Sequence, residues 1–137
     1  MLAWESGYKI GEKDMDAQHL VLFALLNQID ANLGADLAGE CIADVVGALE
    51  AYIGYHFAHE EALMKSWDYP GLDRHIALHQ RFSADLARLQ IEVGTGQARS
   101  AALKLRTFVL EWLLGHIMES DADYARFIAK ADKARGA

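Results

Sequence analysis

The sequence predicts an all-α fold: an up-down-up-down antiparallel four-helix bundle over residues 15–137, preceded by an N-terminal arm over residues 1–14. Three observations carry this. Four long stretches place apolar residues at helical spacing. The breaks between them are short and glycine-containing, one of them holding the chain's single proline, and short connections make neighbouring helices antiparallel. No run of β-branched residues offers a strand. A chain of 137 residues, 53% hydrophobic and 24% charged, is sized for one globular domain with a sizeable core.

The arm carries Trp4 and Tyr8 among glycines and charges, and these aromatics are expected to pack onto the body of the fold. The first helix should open near Asp16, a plausible N-cap, and run along His19, Leu22, Phe23, Leu26, Ile29 and Leu33 to Gly34. The second starts at Asp36 and carries Ile42, Val45, Leu49, Ile53, His56, Glu60 and Leu63 as far as about Trp67. Tyr69-Pro70-Gly71 breaks the helix and reverses the chain. The third carries Leu72, His75, His79, Phe82, Leu86, Leu89 and Val93 up to Gly94-Thr95-Gly96. The fourth begins near Gln97 and carries Leu105, Val109, Trp112 and His116, then continues through Tyr124 and Phe127. Its cationic tail, KADKARGA, suits a helix C-terminus.

On these inward stripes six residues do not belong to an apolar core: His19, His56, Glu60, His75, His79 and His116. Residues four apart on a helix lie about 40° from each other and about 6 Å along the axis. His56 with Glu60, and His75 with His79, can therefore each aim two donor atoms at one point. The turn at Pro70-Gly71 brings the two pairs together. Asp121 follows His116 by five residues. Burying five histidines and a glutamate costs too much unless metal binding offsets it.

Seven donor side chains exceed the need of one tetrahedral zinc. Two roughly six-coordinate metals offer about twelve positions. Five histidines, two bridging carboxylates and one bridging oxygen fill all but one of them. That last position suits a small exogenous ligand. Five residues turn an ideal helix through about 500°, which would point Asp121 roughly 140° away from His116. Both reach one site only if the helix kinks or widens to a π-type turn between Ile117 and Asp121.

The run His19, then HFAHE at 56–60, HIALH at 75–79 and HIMESD at 116–121, resembles the hemerythrin pattern H…HxxxE…HxxxH…HxxxxD. The D-x-Q-H at 16–19, the HFxxEExLM at 56–64 and the W-L-x-x-H-I at 112–117 are similar to its bacterial branch. The resemblance covers nearly the whole chain. It implies two non-haem iron ions joined by an oxo or hydroxo bridge. His75, His79 and His116 would hold one, His19 and His56 the other, with Glu60 and Asp121 bridging. Dioxygen would bind reversibly at the open position on the His19/His56 side. Trp112 and Leu113, one turn before His116, are expected to wall that pocket against water.

Other classes fit less well. A net charge of −7 without a Lys/Arg cluster argues against nucleic-acid or anionic-membrane partners. The longest apolar run, Leu20–Leu26, is far too short to span a bilayer, and the start MLAWESGYK lacks the pattern of a signal peptide. Cys41 is alone, so no internal disulfide forms, and a reducing cytoplasm is the simplest compartment; its expected role is a small buried apolar residue. His59-Glu60-Glu61 is not a zinc-protease HExxH, because position 63 is leucine. No Glu-x-x-His occurs, unlike the carboxylate-rich ferritin-like sites. His59 is expected in a solvent or interhelical role, Glu61 as a solvated neighbour of Glu60, and Asp16 as a cap or a support for His19. The function expected is reversible dioxygen binding, without catalysis, for storage, delivery or sensing, with an oxygen-consuming enzyme as recipient. The alternatives are a di-iron enzyme acting on peroxide, nitric oxide or ferrous iron, and the oxygen or redox sensor module of a larger signalling protein.

Overall fold

A computed structural model describes residues 9–34, 39–93 and 98–136. Its helices are α1 (Lys13–Gly34), α2 (Gly39–Ser66), α3 (Leu72–Val93), α4 (Ala98–His116) and α5 (Ala122–Gly136), with a π-helical segment, Ile117–Asp121, joining the last two. Helices α1 to α4 pack in sequence, and α4 closes back onto α1. Lys104 reaches Glu92 close to the α3–α4 connection, while His116 reaches His79 and His75 far from it, as antiparallel neighbours must. An Arg106–Asp30 ion pair at 2.8 Å ties α4 to α1. The fold is therefore the all-α four-helix bundle expected. The expectations placed on Trp4, Tyr8, Asp36, Gly94-Thr95-Gly96, Gln97 and the side chains of Cys41 and Ile42 lie outside the described residues.

The start of α1 differs from the expectation. The helix opens at Lys13, one residue after Glu12, whose carboxylate accepts the Met15 N–H at 3.0 Å. Glu12 thus does the capping. Asp16, already inside the first turn, accepts the backbone N–H groups of Ile10 (2.8 Å) and Gly11 (3.2 Å). Gly11 sits at φ 90°, a conformation that glycine alone adopts freely, and this lets the chain turn back onto Asp16.

The α2–α3 turn is built by backbone bonds. The Tyr69 N–H donates to the Met64 carbonyl at 3.0 Å and the Asp68 N–H to that of Lys65 at 3.1 Å, the paired bonds of a Schellman cap. The left-handed residue this cap requires is Asp68, at φ 54°. Gly71 lies beneath the Tyr69 ring, where a Cβ would come within 2.8 Å of ring carbon. A proline and a glycine thus reverse the chain while Tyr69 covers the turn.

The core has two apolar parts. The larger holds Leu22, Leu26, Leu49, Ile53, Phe57, Phe82, Leu105, Leu113 and Ile117, among others. The smaller, at the α5 end, holds Met15, Met64, Tyr124, Ala125 and Ile128. Along α1, His19 falls between Met15 of the smaller part and Leu22 of the larger. Glu60 falls likewise between Phe57 and Met64, and Asp121 between Ile117 and Tyr124. The polar residues therefore form one layer across the bundle, sealed above and below by apolar side chains.

Candidate metal centre

All seven residues singled out from the sequence meet in this layer, and all are buried: His19, His56, Glu60, His75, His79, His116 and Asp121. Every helix of the bundle contributes. The π segment supplies the adjustment that the five-residue spacing of His116 and Asp121 demands. The Ala122 N–H reaches the Ile117 carbonyl, five residues back, so this turn closes one residue later than an α turn. Both flanking residues, His116 and Ala122, keep α-helical dihedrals, so the widening is confined to the one turn that carries Asp121.

The donor atoms form two groups, each mutually within 4.8 Å. One is Glu60, His75, His79, His116 and Asp121; the other is His19, His56, Glu60 and Asp121. Glu60 and Asp121 belong to both. Glu60 Oε1 lies 2.9 Å from His75 Nε2 and 3.0 Å from His79 Nε2, while Oε2 lies 3.3 Å from His56 Nε2 and 3.8 Å from His19 Nε2. Asp121 Oδ1 lies 2.9 Å from His116 Nε2 and 3.1 Å from His75 Nε2, and Oδ2 lies 3.2 Å from His19 Nε2. Each carboxylate turns one oxygen to each group.

These contacts suit a cation better than hydrogen bonding among the residues themselves. Ring nitrogens face one another at 3.2 Å (His19–His56), 3.1 Å (His79–His116) and 2.9 Å (His75–His116), and each such pair can share only one proton. Both Asp121 oxygens are close to ring nitrogens, yet neither has an aligned hydrogen-bond donor among the described residues. A fully buried carboxylate without an aligned donor is costly unless a positive ion compensates it. The donor set, imidazole and carboxylate, suits iron, zinc or manganese.

The charges lean on one another strongly. Burial works to lower the His19 and His75 pKa values, but the close Asp121 and Glu60 carboxylates outweigh it and raise both to about 9. His116 is raised against the same burial by the same two carboxylates. Burial works to raise the Glu60 carboxyl, and its contacts with His116, His19, His56 and His75 hold it well below the usual range. Asp121 is lowered too, against burial and the neighbouring Glu60 charge, by His116, His19 and His75.

The family model of the hemerythrin HHE cation binding domain matches residues 11–128. The chain belongs to the hemerythrin family. It is 31% identical over 128 residues to a bacteriohemerythrin of Stenotrophomonas maltophilia, a match covering 91% of this chain and 80% of that one. It is 29% identical over 121 residues to a hemerythrin-like protein of Naegleria gruberi, covering 88% of each. A bacteriohemerythrin of Clostridium acetobutylicum is 26% identical over 132 residues, covering 90% of this chain and 98% of its own length.

Around the seven residues, this hemerythrin domain has supports that the sequence reading assigned otherwise or missed. Glu61 is not merely a solvated neighbour. Its Oε2 accepts a hydrogen bond from His79 Nδ1 at 2.8 Å. Gln18 Oε1 accepts one from His56 Nδ1 at 2.7 Å, and Gln18 Nε2 donates to His59 Nδ1 at 2.8 Å. His59 thus has the interhelical role expected. Asp16 supports the backbone ahead of α1, at Ile10 and Gly11, rather than His19. The Tyr124 hydroxyl donates to Glu60 Oε2 at 2.9 Å. Phe57 lies flat on His79, with centroids 3.7 Å apart and planes 3° apart.

Signals for some of these supports were present in the sequence. Gln18 adjoins His19, and Tyr124 follows Asp121 by three residues on the inward face, where a buried phenol needs a partner. Trp112 stacks on His116 at 4.2 Å and on Phe82 at 4.1 Å, which puts it on the three-histidine side. Leu113 is buried in the larger apolar cluster.

Proposed function

We propose that this chain binds dioxygen reversibly at two non-haem iron ions, bridged by Glu60, Asp121 and an oxo or hydroxo group, for oxygen storage, delivery or sensing. The observation that supports this reading is the unequal division of donors around two shared carboxylates. His75, His79 and His116 would serve one ion, and His19 and His56 the other. The side with one histidine fewer would keep a coordination position for a small ligand. When bound, the iron pair supplies the two electrons on which dioxygen capture draws. The protein's part is to hold, orient and seal.

The two carboxylates offset much of the ions' charge, which makes burial tolerable. The apolar parts on either face of the layer, Leu113 among them, keep water away. Tyr124 orients Glu60 without giving up its proton. Burial, with the Glu60 and Asp121 charges, pushes its phenol far above the ordinary range. A cytoplasmic location agrees with the lone cysteine, and an oxygen-consuming enzyme would receive the load. No helix among the described residues is long and apolar enough to cross a membrane.

The test is optical. The diferrous protein should be nearly colourless, gain a charge-transfer band in air and lose it under vacuum through repeated cycles. One-way conversion to the ferric form would instead support an enzyme acting on peroxide, nitric oxide or ferrous iron, or a sensor module of a larger protein.

A further inference from the structure

The two groups of donors differ in more than histidine count. Each contains one histidine whose outer nitrogen is held by a side chain from the next shell, and the two holders differ in charge. Behind His79 stands the Glu61 carboxylate, 2.8 Å from Nδ1. Behind His56 stands the neutral Gln18 amide, 2.7 Å from Nδ1. With Nε2 of both rings turned to the centre, each Nδ1 must carry the proton and donate it outwards. For His56 this fixes the amide orientation, because Gln18 Oε1 has to accept. Gln18 Nε2 then donates to His59 Nδ1, and His59 locks the amide in place from the far side. A carboxylate draws the Nδ1 proton away from the ring and makes Nε2 a stronger donor; an amide does so far less.

We propose that Glu61 and Gln18 are positioning residues that rank the two metal positions, the charged Glu61 strengthening the His75/His79/His116 position and the neutral Gln18 leaving the His19/His56 position the weaker and more exchangeable one. The ranking adds to the difference in histidine number. It places the more weakly held ion where a coordination position is kept for the exogenous ligand. This inference rests on the two-metal reading of the site.

Cobalt(II) added to the metal-free full-length chain tests it, followed by visible absorption and by the cobalt-shifted imidazole N–H resonances. The wild type should take up two ions in two steps, the first at His75/His79/His116. Glu61→Gln keeps a hydrogen-bond acceptor and removes only the charge. It should weaken the first step roughly tenfold, move the His79 Nδ1–H resonance and leave that of His56 in place. Gln18→Glu should do the reverse, strengthening the second step by roughly the same factor. Glu61 is partly exposed, so Glu61→Gln decides the matter even if Gln18→Glu does not fold. Two-step uptake with affinities unchanged in Glu61→Gln, or both steps weakened together, would overturn the ranking. Saturation at a single ion would instead overturn the two-metal reading beneath it, and the two failures are told apart by the stoichiometry.

Discussion

At the scale of single residues, what matters is who holds whom. Glu60 is 0% exposed and takes its contacts from histidines on four helical segments and from Tyr124. Replacing Tyr124 by phenylalanine keeps the packing and deletes one donor to a buried carboxylate. The expected loss is about 1–2 kcal/mol, read as a lower urea midpoint for the metal-free protein. Leu113→Ala acts differently. It opens a cavity in the larger apolar part at a cost of about 2–5 kcal/mol, and it lets water approach the centre. The iron-loaded variant should lose its air-induced absorption to the ferric form faster than the wild type. An equal rate would remove Leu113 from the wall of the ligand pocket.

At the scale of elements, the π turn and the α2–α3 turn do the geometric work. The π segment gains its extra residue without a glycine or proline, so its sequence, IMESD, reads locally as ordinary helix. Only the requirement that His116 and Asp121 serve one site betrayed it. The α2–α3 turn was legible from Pro70 and Gly71, but its left-handed residue was not, because Asp68 stands where glycine is usual. Asp68→Gly should relieve that conformation and raise stability by about 0.5–1 kcal/mol, seen as a higher thermal midpoint with unchanged metal content. An unchanged or lower midpoint would show that Asp68 is held there at no cost.

At the scale of the whole molecule, the buried charges couple folding, protons and metal. In the metal-free protein the His19 and His75 pKa values stand raised from 6.5 to about 9. Their contribution to stability is complete below pH 6.5 and fades as the pH rises through about 9. Glu60 and Asp121 are held low, so their contribution is present above the ordinary carboxylate range and fades as the pH falls through their depressed values. The metal-free protein should therefore be most stable between about pH 4.5 and 6.5, as urea unfolding across a pH series would measure. Metal needs neutral imidazoles, so loading at pH 7 should expel at least about two protons per chain, from His19 and His75, with His116, also raised, adding to them. Titration in weak buffer with a pH dye counts them, and zero protons would contradict the raised values. Acid reverses the loading, with loss of metal below about pH 5.

The sequence by itself determined the four helices, the turn at Pro70-Gly71, most of the inward stripes and the seven residues of the polar layer, although on α2 the structure buries Val46 and Met64 more deeply than the expected Val45 and Leu63. Period and spacing are local properties, and a histidine or glutamate on an apolar stripe is conspicuous without coordinates. It determined even the need for an irregular turn before Asp121, because helical pitch is a constant. The tertiary structure decided which carboxylate oxygen faces which group, that Glu12 rather than Asp16 caps α1, and that Gln18, Glu61 and Tyr124 stand behind His56, His79 and Glu60. Apart from the α1 cap, which is local, those relations join residues on different helices. They depend on the register and rotation of one helix against another, which the packing of both apolar parts sets together and no single stretch of chain encodes.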